Sequence, residues 1–211
     1  MKVGIIGAGN VGQAIGRRLA AKGHEVIISY ARNFSRVQAA AVCIGGRAGT
    51  PEEAVTHAEV VLLATPWPVT LDVVHSVASG MAGKIIWDTT NPLKADMSGL
   101  ELGTTTSAGE QVAVAAPGAK VVKAVPPFAE LLAGAGDYII NGRTPSVFIC
   151  GDDTQARSAV SELVSDIGAD GVDAGSLSNA RYTEPLGMLL VQLAYVEGFG
   201  PKIGTSFLHN S

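Results

Sequence analysis

One stretch constrains this chain more than any other. The apolar run Val3-Gly4-Ile5-Ile6 leads directly into Gly7-Ala8-Gly9-Asn10-Val11-Gly12. Glycine is 26 of 211 residues, so a glycine-spaced hexapeptide alone carries little weight. Its neighbours supply the weight. The run before it is short, β-branched and apolar, as a buried parallel strand is, and Ala14, Ile15, Leu19 and Ala20 behind it recur at helical spacing. A strand-to-helix junction follows, in which Gly7 permits the tight turn, Gly9 lets backbone approach a pyrophosphate and Gly12 lets helix pack on strand. The helix start adds unpaired N–H groups and partial positive charge. No Gly-Lys-Ser/Thr follows, which makes a phosphate-loop nucleotidase a poor alternative. The pattern is that of a dinucleotide site.

The tip of the second strand then selects the dinucleotide. Glu25 to Tyr30 reads as that strand, after a first helix ended by Gly23. An acid at this tip would hold the ribose 2′-hydroxyl of NAD, whereas Arg suits the 2′-phosphate of NADP. Here the tip and loop run Ser29-Tyr30-Ala31-Arg32-Asn33-Phe34-Ser35-Arg36, without an acid and with two guanidiniums and hydroxyl groups. The expected cofactor is NADP, with Arg32 nearest the tip as its main partner and Ser29, Tyr30, Ser35 and Arg36 beside it.

Fifteen basic residues against 19 acidic ones give a net charge of −4, with no basic run to neutralise nucleic acid or an anionic membrane. No apolar stretch approaches the roughly twenty residues that span a bilayer. With the first strand at Lys2 leaving no space for a signal sequence, the expected location is cytoplasmic. Cys43 and Cys150 are far apart and lack metal-ligand spacing, so both read as buried apolar side chains and no metal is expected.

Further along, residues 34 to 43 read as a helix. Thr50, Pro51 and Glu53 form a capping box with proline at the first helical position. Glu59 to Ala64 is a strand ending in Thr65-Pro66-Trp67-Pro68, and Lys84 to Asp88 is another, ending in Thr89-Thr90-Asn91-Pro92. Ligands lie beyond the carboxyl ends of such strands, so both loops should border the cofactor, with Asn91 a candidate partner for nicotinamide or substrate. Residues 93 to 106 read as an irregular flap, and Ser107 with Glu110 as a second capping box. Strands over Lys120 to Val125 and Ser146 to Cys150 complete an α/β, Rossmann-type doubly wound parallel sheet in residues 1–151. Residues 152–211 form a small carboxyl-terminal, largely helical part. It begins with an amphipathic helix over Asp152 to Ile167 and a short Gly171-Val172-Asp173 segment. Leu186 to Val196 is apolar nearly all round, which predicts burial against a second copy and hence a homodimer.

These residues resemble the NADP-dependent reductases typified by the archaeal and actinobacterial NADPH:coenzyme F420 oxidoreductases, whose module also forms the cytosolic domain of metalloreductases. The resemblance rests on Gly7 to Gly12, Thr65-Pro66-Trp67, Asn91-Pro92-Leu93, Val147 to Asp153 and Asp173 to Arg181. It implies hydride transfer between NADPH and a deazaflavin (coenzyme F420) or flavin-like ring. It places Gly7, Gly9, Asn10 and Val11 on the pyrophosphate, Ser29 and Arg32 on the 2′-phosphate, and Thr65, Pro66 and Trp67 on the nicotinamide side. The chain departs from that family after the Lys-Ala strand, where Lys123-Ala124-Val125-Pro126-Pro127-Phe128 lacks the polar residues expected beside the reacting ring. Hydride transfer between two rings needs positioning and dryness, and no catalytic acid or base is assigned. Asn91 and Phe128 are positional candidates, and Asp88 is expected to orient its own loop. Two alternatives stand beside this one: reduction of a small carbonyl or imine compound, and a non-catalytic NADPH-binding module.

Overall fold

The computed structural model describes residues 1–30, 32–126, 128–133 and 138–210, and all but the Leu131 side chain within them. In chain order these residues form β1 (Lys2–Ile6), α1 (Asn10–Ala21), β2 (Glu25–Ser29), α2 (Phe34–Ile44), β3 (Arg47–Ala48), α3 (Pro51–His57), β4 (Val60–Leu63) and α4 (Trp67–Met81). Then come β5 (Ile85–Asp88), α5 (Ala108–Ala115), β6 (Lys120–Lys123), α6 (Ala129–Leu132), β7 (Ser146–Gly151), α7 (Thr154–Asp166), β8 (Asp170–Asp173) and α8 (Ala180–Val191). A short 3₁₀ turn, Leu177–Asn179, precedes α8, and a π-helical segment, Gln192–Val196, prolongs it.

All strands join one sheet in the order β3-β2-β1-β4-β5-β6-β7-β8. The strands from β3 to β6 run parallel, as expected for a doubly wound fold. β7 corrects the all-parallel expectation, because it pairs antiparallel with β6, and β8 follows β7. Direction is invisible in a short apolar run, since a strand buried on both faces reads the same either way. The reversal matters here because it brings the start of β7, Ser146, to the carboxyl end of β6.

Side chains alternate between two cores. Val3, Ile5, Ile28, Leu62, Trp87 and Ile149 face α1, α2 and α7, whereas Ile6, Val61, Leu63, Ile86 and Val121 face α3, α4 and α5. Each fully buried Ile or Leu contributes about 1.5–3 kcal/mol, so these layers hold the strand ends in fixed positions. Trp87 is wholly buried and donates its indole N–H to the Ala124 carbonyl (2.8 Å), so it is a core residue and not a stacking platform.

Local signals were realised unevenly. The Thr50 capping box is complete, with Glu53 N–H donating to Thr50 Oγ1 and Thr50 N–H donating to Glu53. At Ser107 only half of the expected box forms: its hydroxyl accepts from Glu110 N–H, but the Glu110 carboxylate turns to the Ser107 hydroxyl and to Arg181. Of the two cysteines expected inside, Cys150 is buried and Cys43 is exposed, on the outer face of α2 beside Arg17.

Candidate functional site

At the carboxyl end of the sheet, the β1–α1 turn is built as its glycines suggested. Gly7 has φ +127°, and a Cβ there would lie 2.3 Å from the Ala64 carbonyl oxygen. A Cβ on Gly12 would lie 1.9 Å from the Gly7 carbonyl oxygen. Packing therefore demands both residues. Gly9 is different, because a Cβ there would meet nothing within 4 Å. It is the N-cap of α1, exposed, with no side-chain cap and no acid in the first turn, so the helix start keeps its positive end open.

The turn is tied to the tip of β2. Gly7 N–H donates to the Ser29 carbonyl and Ala8 N–H to the Tyr30 carbonyl, both at 2.9 Å. Beyond the tip, Arg32, Ser35 and Arg36 are exposed, and neither guanidinium has a partner among the described residues. Asn33 caps α2 through the Arg36 N–H, and Ser35 donates its hydroxyl to the same Asn33 oxygen. The Ser29 hydroxyl points the other way, fully buried and donating to the Ile5 carbonyl at 2.8 Å. Tyr30 is half-buried at φ +61° and packs against the core on the α3–α5 side.

From the turn opens a cleft of about 800 Å³. Gly9, Asn10 and Val11 form one end of it, and Thr65, Pro66, Trp67 and Asn91 line it as expected. Thr65 and Thr70 hydroxyls lie 2.8 Å apart and Thr70 donates to the Pro66 carbonyl, so the turn after β4 is pinned. What reads as a loop there is in fact the start of α4, with Pro66 as N-cap. Pro92 is buried outside the cleft lining and its carbonyl accepts from Glu101 N–H. The far wall is apolar, with Phe128, Phe148, Leu186 and Leu190, and Phe128 meets Tyr195 edge-on at 5.5 Å. Part of the apolar α8 stripe thus faces the cleft, while Leu189, Val196 and Phe199 are exposed. Among the described residues the ionisable lining groups are Lys94, Glu130 and Tyr195. Burial and the nearby Glu130 carboxylate both raise the Tyr195 phenol's pKa.

Below the cleft floor is a cluster that the sequence did not reveal. The Lys123 ammonium lies 2.7 Å from Asp88 Oδ2 and 3.0 Å from Glu184 Oε1, and donates to the Thr90 carbonyl at 2.8 Å. All three ionic side chains are at most 2% exposed. One ammonium between two carboxylates leaves a formal charge of −1, which the start of α5 offsets. Ala108 N–H and Gly109 N–H donate to the Glu184 carboxylate at 3.0 and 3.1 Å, and the helix end carries about +0.5 charge. Asp88 also accepts from Thr90 N–H, which is the loop-orienting role expected of it. The only available sequence signal was Lys123 itself, a lysine at the end of an apolar strand whose partners lie 35 and 61 residues away.

Comparison with known proteins bears on this geometry. Residues 2–92 match the model of a family described as "NADP oxidoreductase coenzyme F420-dependent". The chain is 31% identical over 190 residues to the metalloreductase STEAP3 of Rattus norvegicus, covering 90% of this chain but 37% of that protein. It is 29% identical over 209 residues to the F420-dependent NADP reductase of Methanothermobacter marburgensis, covering 92% of each. Among solved structures, one from Arthrobacter sp. FB24, described as a candidate F420-dependent NADP-reductase, superposes with a TM-score of 0.87 at 28% identity, covering 99% of this chain and 100% of its own.

Proposed function

Since residues 2–92 match the model of a family described as coenzyme F420-dependent NADP oxidoreductases, we propose that this chain transfers hydride between NADP(H) and a deazaflavin or flavin-like acceptor. One observation carries the reading: the glycine turn that would hold a pyrophosphate opens directly into an apolar cleft of about 800 Å³. A cleft of this size has room for two stacked rings, and its apolar wall suits them.

The chain's residues fit the dinucleotide. The open space over Gly9 and the uncapped start of α1 suit a pyrophosphate, and the Arg32 and Arg36 guanidiniums, without partners among the described residues, suit a 2′-phosphate. When bound, NADPH supplies the hydride. The protein's part is to hold the rings between the pinned Thr65–Trp67 turn and the Phe128–Tyr195 wall. The rat metalloreductase extends far beyond the region matched, so the activity of that whole protein is not carried over.

The test is NADPH oxidation with no acceptor, with coenzyme F420, with FMN, and with small cyclic imines and carbonyls. Turnover with the first two acceptors supports the reading. Turnover only with an imine or carbonyl replaces it with reduction of a small C=N or C=O bond. NADPH binding without any turnover replaces it with a binding module.

A further inference from the structure

We infer that Asn91, at the border of the cleft, holds its covered carboxamide oxygen as the acceptor for a primary carboxamide N–H on the bound ring, and that the buried cluster beneath it fixes this orientation. The inference rests on the dinucleotide reading above and names how the nicotinamide end would be recognised.

Asn91 borders the cleft between Thr90 and Leu93. Its Nδ2 donates to the Glu184 carbonyl at 3.2 Å. Its Oδ1 is covered and has no partner among the described residues. An asparagine offers two donors and one acceptor, and only the donor end is satisfied. Turning the amide over would set its oxygen against the Glu184 carbonyl oxygen, acceptor facing acceptor, so the orientation follows from the partner.

That partner is immobile. The Glu184 side chain accepts from Lys123, Ala108 N–H and Gly109 N–H, which anchors the first turns of α8 to β6 and α5. Gly187, one turn further along, leaves the seat for the amide, since a Cβ there would lie 2.8 Å from Asn91 Nδ2. Four elements thus converge to hold one amide whose oxygen lacks a donor. A buried acceptor without a donor is unfavourable, and a ligand N–H that displaces what covers it from the cleft side relieves that cost on binding. Thr183 Oγ1, a turn before Gly187 on the same wall, is covered too and lies within reach of the Cys150 thiol, so Asn91 Oδ1 is the acceptor here left without a donor among the described residues.

The chemistry that discriminates is the carboxamide itself. The 3-acetylpyridine analogue of NADP⁺ has the ring and the carbonyl but no N–H. Calorimetric titration of the full chain with NADP⁺, this analogue and 2′-phospho-ADP-ribose, which lacks the ring, separates the contributions. The wild type should prefer NADP⁺ over the analogue by roughly tenfold, the size expected for one hydrogen bond to a desolvated group. Asn91→Ala should bring the two within about twofold and leave 2′-phospho-ADP-ribose affinity unchanged, which also reports that the fold is intact. Asn91→Ser serves if the alanine variant does not fold. Equal binding of both dinucleotides by the wild type, or an unchanged preference in the variant, overturns the Asn91 assignment alone. No binding of any of the three overturns the dinucleotide reading with it.

Discussion

Replacing Lys123 with methionine isolates the buried cluster, because the side chain keeps its length and loses its charge. In the wild type the ammonium has three partners: Asp88 at 2.7 Å, Glu184 at 3.0 Å and the Thr90 carbonyl at 2.8 Å. After substitution Glu184 keeps two backbone donors and Asp88 keeps Thr90 N–H, but Asp88 Oδ2, whose one contact among the described residues is the ion pair, is left buried with its charge uncompensated. Removing one partner of a buried ion pair costs about 3–5 kcal/mol, because the remaining charge is left uncompensated. Against a total stability of about 5–15 kcal/mol, that is a large fraction. Guanidinium unfolding at pH 7, followed by circular dichroism, reads it as a fall in midpoint at unchanged slope. Adding Asp88→Asn to Lys123→Met removes the orphaned charge and should recover about 1–2 kcal/mol, a coupling expected only between residues in contact. A loss below about 1 kcal/mol for Lys123→Met, or strict additivity in the double variant, refutes the view that this cluster clamps β5, β6 and α8.

Four further outcomes are expected. Gly9→Ala should leave stability within about 0.5 kcal/mol yet weaken NADPH binding at least tenfold, whereas Gly12→Ala should lower stability in thermal melts, its Cβ falling 1.9 Å from a carbonyl oxygen. Arg32→Ala should weaken NADPH by about 1.5–3 kcal/mol and leave NADH nearly untouched in parallel titrations, equal losses arguing against a 2′-phosphate role. The hydrogen bond from Arg181 holds the Glu110 carboxyl below its ordinary value of 4.5, so the pair stabilises the fold above that pH and the contribution is lost as pH falls through the depressed value. The stability gap between wild type and Glu110→Gln should therefore be constant near neutrality and close in acid. Should Leu189, Val196 and Phe199 meet a second copy, Leu189→Asp yields a monomer by light scattering, and an unchanged mass removes that interface.

Much of this architecture was legible locally. The β1–α1 turn could be read because its requirement is conformational and falls on single residues: Gly7 at φ +127° and Gly12 against a carbonyl oxygen tolerate no side chain. The Thr50 box could be read because both of its hydrogen bonds span three residues. The acid-free β2 tip left Arg32 and Arg36 exposed together, as the cofactor reading required, although the Ser29 hydroxyl turned inward to the Ile5 carbonyl. Distant pairing was not legible. Glu110 was drawn away from its own backbone by Arg181, 71 residues on, and Lys123 found Asp88 and Glu184 only once three elements had packed. The same holds for β7, whose reversal is set by its neighbour β6 and not by its composition. The apolar run of α8 divides between the cleft and a face that the single chain leaves exposed. Periodicity reports which faces are apolar and not what covers them.

Direct hydride transfer within the cleft is the central claim, and isotopic labelling tests it most directly. NADPH carrying deuterium at one face of the nicotinamide C4 is supplied with coenzyme F420, whose reduced carbon does not exchange with water. The account predicts one deuterium in the reduced deazaflavin from one face only, with none from the opposite face. Product free of deuterium from both labelled forms, or no reduced product from either coenzyme F420 or FMN, would contradict it.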